Sequence, residues 1–529
     1  MTDDAGRIVI VGGGHNGLVC AAYLARAGRK VLVLEAAEQV GGAAVTREFA
    51  PGFRVSSVAH LLHALDPRIA RELRLEQHGL AYARRALRTV SLGEGAPLVL
   101  DGANVEAGDV TPADRAALAE YVRRQQRFAA VLANQHSRIP SRLGAGFSVF
   151  RLFDRSANNR NTENPAPWSL AKFALDVRLL GRADMRELLR VGTMNLHDLL
   201  EDRFESAQLK GALALDGVLG ARLGPRSGQT FFTSLQRAGA YALPRGGMGA
   251  VTGALAVAAR AAGAEIRVAS PVASFTLHGD RVTGVVLQSG EQIEAAAVVS
   301  NADPQTTFLG LVGARHLDTE FARRVLHIRS QGCAAKLHLA LAGAPGFRGV
   351  PAGLLGERLI IAPDLGYIDA AFNPSKYREY STQPVLEISV PSVHDAGLAP
   401  AGQHVLSAIV QYAPRDLAMG WSAGRAPFLE ATLAVLTRYA PALRSQIVAA
   451  ELLTPLDIEN EFRIHGGHWH HGELALDQYM MLRPVPGAAQ YATPVPGLWL
   501  CGAGSHPGGG VIGAAGRNAA RAVLAGSRA

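Results

Sequence analysis

The chain has 529 residues, 48% hydrophobic and 19% charged, enough apolar content for two or more folded domains and too much for a disordered protein. Its 53 Lys and Arg against 45 Asp and Glu give a net charge of +8, but the excess is scattered in pairs such as Arg84-Arg85 and Arg323-Arg324; with no basic stripe interleaved with aromatics, no nucleic-acid partner is expected. Cys20, Cys333 and Cys501 form no C-x-x-C pair, which excludes a dithiol motif, a zinc knuckle and a disulfide framework.

The opening residues, MTDDAGRIVIVGGG, run into a strand without the basic and apolar regions of a signal peptide, and every long apolar run is broken by charge, Gly or Pro. A cytoplasmic protein is therefore expected. Residues 7–35 read as a βαβ unit: Ile8–Val11 and Lys30–Leu34 are short apolar strands of a parallel sheet, and Leu18–Arg26 is a helix ended by Gly28. The turn between them sets Gly12, Gly14 and Gly17 in G-x-G-x-x-G spacing. Gly12 permits the tight turn, Gly14 lets backbone approach a pyrophosphate, and Gly17 lets helix pack on strand. Asn16 in the same turn is a further candidate contact. Glu35 follows 18 residues after Gly17, where an acid accepts a hydrogen bond from an adenosine ribose 2′-OH. This order predicts an α/β fold that binds NAD or FAD.

A second glycine pair, Gly41-Gly42, offers bare backbone that an extended FAD crosses and a nicotinamide domain does not need. Here the sequence resembles the flavin family of phytoene desaturases, amine oxidases and their relatives, over nearly the whole chain. Residues 240–304 look like that family's second nucleotide-domain segment. They hold a glycine loop that starts a helix, a strand ending at Pro271-Val272 with Val272 against the adenine side, a β-meander, and a strand into Asn301-Ala302-Asp303-Pro304. Residues 497–524 resemble the closing flavin motif. In it Leu498–Cys501 is a strand, Gly502 and Ala503 turn past the cofactor, and Gly510-Val511 begin the last helix, whose N–H groups face the flavin pyrimidine edge. The resemblance implies a Rossmann-type, glutathione-reductase-like FAD-binding domain from residues 1–75, 235–315 and 482–529. It is interleaved with an α+β substrate domain of residues 76–234 and 316–481. One departure weighs against an amine oxidase: those enzymes carry Arg directly after the glycine pair, where this chain has Ala43.

Between these segments, residues 158–168 read as an exposed loop. Ser169–Leu200 reads as helices with Leu170, Phe173, Leu175, Leu179, Leu180, Leu188 and Leu189 as the apolar positions. Arg178, Arg182, Arg186 and Arg190 follow at i+4 spacing and are taken as a solvated face; docking on anionic lipid, a peripheral membrane contact, is the alternative. The stretch GCAAKLHLALAG has strand periodicity that puts Lys336 and His338 on one face and Leu337 and Leu339 on the other. A lysine there needs a partner or a role. The resemblance implies a position near flavin N5, and a structural ion pair is the alternative.

Residues 459–483 hold His465, His468, His470 and His471. Glycines 466, 467 and 472 interrupt any helix and no thiolate is near, so no metal is expected. His471 falls on the family's HGE-x-x-LDQ element and is the first candidate to polarise substrate or accept a proton. His60, just past the glycine pair, borders the ring or packs in the core.

No second complete nucleotide fingerprint follows a strand, so no NAD(P)H site is expected and an external acceptor, oxygen or a quinone, completes the turnover. The function implied is FAD-dependent dehydrogenation of a hydrophobic small molecule, such as a carotenoid-like polyene, by hydride transfer to flavin. A redox-neutral flavin isomerase, an amine oxidase, and a FAD-containing regulatory protein without turnover remain open.

Overall fold

The computed structural model describes residues 6–141 and 168–526, so of the loop expected at 158–168 all but Trp168, which begins a helix, lies outside the described residues. Ile8 and Ile10 point into one apolar cluster and Val9 and Val11 into another on the opposite face, which is why all four positions of this strand are apolar. Among the described residues the strand is central in a five-stranded parallel sheet, in the order Glu265–Arg267, Val31–Leu34, Ile8–Val11, Ala297–Ser300, Leu498–Leu500. Helices His15–Arg26, Gly249–Ala261 and Ala514–Gly526 cover one face. An antiparallel meander of Val272–His278, Arg281–Leu287 and Gln292–Glu294 covers the other. This is the expected Rossmann-type arrangement.

Three boundaries differ from expectation. The fingerprint helix starts at His15, not Leu18. The edge strand ends at Arg267, and Val272 opens the meander instead, because Ala269 at φ +48° turns the chain between them. The last helix starts at Ala514, because Gly510, Val511 and Gly513 all have positive φ and cannot belong to a right-handed helix.

A second, mixed sheet of eight strands runs Ile447–Leu453, Ala334–Leu341, His404–Gln411, Val385–Ser389, Arg358–Ile361, Thr89–Ser91, Leu98–Asp101, Asn104–Ala107. Leu337, Leu339, Leu359 and Ile361 bury one face under helix Trp421–Tyr439, while Ile360 and Ile409 join helices Pro112–His136 and Ala207–Val218 on the other. Lys336 and His338 sit opposite the leucines, as the alternation requires. Lys336, Ile409 and Glu387 are register partners in one row across three strands.

The stretch expected as helices up to Leu200 contains Trp168–Leu179, Arg182–Val191 and Leu196–Glu201. Gly181 at φ +86° breaks it, so Arg182, Arg186 and Arg190 share one helix while Arg178 belongs to the preceding one. Leu175, Leu179 and Leu189, among the apolar positions of these helices, are 54%, 72% and 70% exposed. Among the described residues no helix is long and apolar enough to cross a membrane.

The fingerprint and closing helices touch through glycine: a Cβ on Gly516 would land on the Asn16 carbonyl oxygen, whereas one on Gly253, in helix Gly249–Ala261, would meet nothing within 4 Å. Gly516→Ala is therefore expected to destabilise by about 1–3 kcal/mol through overpacking. Gly253→Ala is expected to be neutral or stabilising by up to about 1 kcal/mol. Denaturant midpoints of the two variants, followed by far-UV circular dichroism, check this; equal shifts would contradict the close helix contact.

Candidate active site

The carboxyl ends of the parallel strands open into a cleft with about 1510 Å³ of empty space, part of it open to solvent, which runs from the fingerprint loop to the second sheet. At its first end Gly12, Gly14, His15 and Asn16 form the wall. Gly12 turns at φ +101°, a conformation that side chains disfavour. Glu35 is held by backbone: Oε2 accepts from the Gly13 N–H at 2.6 Å and Oε1 from the Ala37 N–H at 2.9 Å. The Gly41 N–H donates to the Gly13 carbonyl at 3.0 Å, which lays the Gly41-Gly42 pair beside the fingerprint. Ser270 and Val272 line the edge, and Asn301 and Ala302 enter from the next strand. Ala503, Gly510 and Val511 line the closing stretch.

Of the residues expected at the cofactor, Gly17 and Gly502 stand behind this wall rather than in it. A Cβ on Gly17 would strike the Gly12 carbonyl, and one on Gly502 would come 2.5 Å from the Asn301 carbonyl, so both positions serve close packing.

Of the histidine-rich segment, His465 is exposed while His468, His470 and His471 turn inward. Among the described residues no three His, Cys, Asp or Glu side chains converge as metal ligands would. Arg483 fixes the loop: its guanidinium donates to the carbonyls of His470 at 2.6 Å, Glu473 at 2.8 Å and Ala503 at 2.9 Å, tying the loop to the closing turn. Burial among carbonyls lowers Arg483 to about 10. His471 lines the cavity at φ +56° beside His15 and Asp303, at the fingerprint end. Burial lowers it, with Asp303 opposing. Burial also lowers His15 to about 4, with His471 adding to the effect.

The opposite end of the cavity meets the second sheet. Lys336 does not line the cavity; it is fully buried, and its Nζ hydrogen-bonds His60 Nδ1. His60 is on the wall, and its Nε2 has no partner. Burial lowers Lys336 to about 7, opposed by Glu387 in the same sheet row. Burial, then the charges of Lys336, His338, Arg237 and Arg358, hold His60 well below the ordinary imidazole range. Glu387 and Arg237 also line the cavity. Arg237 donates to Glu387 Oε1 at 2.8 Å and to Asp216 Oδ1 at 3.2 Å; Arg358 donates to the same two oxygens at 2.6 Å each. Burial pushes Glu387 up, but the two guanidiniums outweigh it and hold the carboxyl at about 2.

A second chamber of about 660 Å³ shares His63, Arg237, His470 and Gly510 with the first. Leu219, Leu223, Leu474 and Ile512 line it beside His136, His468 and Glu473. Burial first, and then neighbouring charge, lowers His63 to about 4 and His468 to about 3. Arg237, Glu387, His63 and His470 escape a linear reading. Arg237 and Glu387 are 150 residues apart and carry no motif, and the only signal for His470 is its place in the histidine-rich run.

The wall fits a flavin dinucleotide: Asn16 Nδ2 and His15 Nε2 are buried without partners, Glu35 is preset by backbone, and glycine backbone continues for the length of an extended ligand. The chain belongs to the flavin containing amine oxidoreductase family, whose sequence profile matches residues 17–524. It is 34% identical to the mouse (Mus musculus) pyridine nucleotide-disulfide oxidoreductase domain-containing protein 2, over 98% of this chain and 93% of that one. A limonene dehydrogenase polypeptide of Castellaniella defragrans is 26% identical, over 98% of this chain and 94% of its own length. In fold it matches the crystal structure of an oxidoreductase from Methanosarcina mazei at a TM-score of 0.62 and 15% identity, over 98% of this chain and 99% of that one. The protein is a FAD-dependent oxidoreductase. Its three cysteines are free and buried; burial, with Cys20 beside it, raises the Cys501 thiol well above its ordinary range.

Gly510 sits at φ +112° on the wall shared by both chambers, where a Cβ would have room but the backbone angle would be strained. Gly510→Val is expected to retain its circular dichroism spectrum and lose most of its FAD, about tenfold in occupancy, since such strain is worth about 1–3 kcal/mol. The ratio of flavin to protein absorbance after gel filtration measures it; wild-type occupancy would detach this turn from the cofactor.

Proposed function

We propose that the protein dehydrogenates an amphipathic small molecule, with FAD as hydride acceptor and the His60–Lys336 pair as proton acceptor. Bound FAD supplies the two-electron oxidant. Gly12, Gly14, Asn16, Glu35, Gly41, Gly42, Val272, Ala503, Gly510 and Val511 would hold it along the wall. An external acceptor, oxygen or a quinone, closes the cycle.

The single observation behind this reading is the position of His60. Removing a hydride from one atom of a C–C or C–N bond requires a proton to leave its neighbour, and His60 lines the cavity with a buried Nε2 that has no hydrogen-bond partner. The partner on Nδ1 sets what Nε2 can do. When Lys336 is an ammonium it donates to Nδ1, and Nε2 carries the hydrogen. When Lys336 is neutral it accepts from Nδ1–H, and Nε2 presents a lone pair. A proton taken at Nε2 is then balanced by one passed from Nδ1 to Nζ. Lys336 acts through His60, a different arrangement from a lysine facing the flavin directly. His471, beside His15, serves the fingerprint end of the cavity in this reading.

The lining of the second chamber favours an amphipathic substrate over a long hydrocarbon polyene, because His63, His136, Arg237, His468 and Glu473 would set polar side chains against apolar carbon. The amine-oxidase alternative gains nothing from Ala43, which lines the cavity where those enzymes carry Arg.

Because Lys336 titrates at about 7, the rate of anaerobic flavin bleaching by substrate is expected to rise with pH through about 7 and level off above it. Lys336→Met should lower the plateau about a hundredfold and remove that inflection while keeping FAD. Stopped-flow absorbance across the pH range checks both; an unchanged profile removes Lys336 from the reaction, and turnover only after prior reduction of the flavin would replace dehydrogenation by isomerisation.

Lys336 also sets a stability trend. Its folded value of about 7 lies below the unfolded value of about 10.4, so the unfolded chain binds more protons between them and stability rises with pH across that window. Lys336→Met should therefore be more stable than wild type below about pH 7, with an advantage that shrinks toward about pH 10. Thermal midpoints at several pH values read this directly; a constant difference would mean that the lysine is charged throughout.

A further inference from the structure

We propose that Arg237 anchors a carboxylate of the substrate at the junction of the two chambers, so that the molecule oxidised is a small amphipathic acid. This rests on the dehydrogenase reading above and specifies its substrate class.

Arg237 follows the short helix Thr230–Leu235 and is one of the residues lining both chambers. Two of its three guanidinium nitrogens are used, Nε on Asp216 and Nη2 on Glu387. Nη1 has no acceptor among the described residues and is not sealed in the core. The two carboxylates hold the planar fork in one orientation, so its free donor is aimed before any ligand arrives.

The neighbouring groups leave this donor open. Arg237 and Arg358 are paired with Asp216 and Glu387, two guanidiniums with two carboxylates. The imidazoles that approach them, His60, His63 and His470, are held neutral by burial first. Glu473, the acid on the second chamber, is already engaged by Arg329 at 2.8 Å. An anion at Nη1 accepts from a charged donor that is otherwise unmet. Beyond it, in the chamber that contains His60, Val58, Leu61 and Ile409 offer apolar surface for a short carbon chain. With the carboxylate at the junction, the carbons next to it lie in the chamber that contains His60, where a proton can be taken.

Binding to the wild-type holoenzyme tests this without a substrate in hand. Hexanoate is titrated against hexanamide, hexanol and hexylamine, with the visible flavin spectrum as readout and FAD content measured separately. Hexanoate is expected to bind at least about tenfold more tightly than the amide. Arg237→Gln should remove that preference at unchanged FAD content, and Arg237→Lys should restore part of it. Equal binding of acid and amide, or a preference that survives Arg237→Gln, overturns the proposal. If Arg237→Gln does not hold FAD, the acid-to-amide ratio of the wild type decides alone. Protein that is colourless and binds no FAD would refute the dehydrogenase reading itself, an outcome distinct from coloured protein indifferent to the acid.

Discussion

The close backbone approach around Asn301 is the constraint on which the rest of this molecule depends. The Asn301 N–H donates to the Val11 carbonyl at 2.8 Å, extending the parallel ladder by one step, and the fingerprint loop folds directly over its side chain. A Cβ at Gly12 or Gly17 would meet Asn301 at 3.3 or 3.2 Å, and one at Gly14 would meet its amide at 2.8 Å. Only backbone fits. Because it fits, the fingerprint helix starts close to the ends of two strands, and the crevice beyond them is walled by N–H groups and short polar side chains instead of bulk. Glu35 is braced by the same loop through the Gly13 N–H, so the glycines that shape the crevice also orient its acid.

The second sheet solves a different problem, which is to present charge inside a protein without leaving it unpaired. The Arg237–Glu387–Arg358–Asp216 ring is costly to desolvate, and removal of one member of such a buried ion group costs about 3–5 kcal/mol. The hydrogen bonds of the ring, with the Tyr241 hydroxyl donating to Asp216 at 3.0 Å, satisfy most of its valences. Two of its members, Arg237 and Glu387, line the first cavity. Burial lowers Lys336 to about 7 against the opposing pull of Glu387 in the same sheet row, so a small change in surroundings alters its protonation.

The two halves of the site therefore differ in kind. The half built from the parallel sheet is backbone-rich and is the half whose glycines and acid follow a shared dinucleotide pattern. The half built from the mixed sheet uses side chains, His60, Lys336, Arg237 and Glu387, that converge from separate chain segments. Fold and cofactor follow from the first half, and the proposed proton transfer and substrate contact draw on the second.

The sequence by itself determined the parallel sheet, the fingerprint, Glu35 and the second glycine pair, because each is a local demand of backbone geometry that only certain residues meet. It also determined the facing of Lys336 and His338, since strand alternation is local. It misjudged the start of the last helix, where the positive φ of Val511 is imposed by the turn and not announced by the residue. It marked Leu175, Leu179 and Leu189 as apolar positions but not their exposure, because periodicity reports that a face is apolar, not that anything covers it. Only the tertiary structure decided that Lys336 meets His60 across 276 residues, that Arg237 and Glu387 pair at the cavity wall, and that His470 lines both chambers while His471 lines the first alone. Those contacts depend on how two sheets pack against each other. Packing is set by the summed burial of many side chains, so no short stretch of sequence carries a record of which polar groups will meet at its seam.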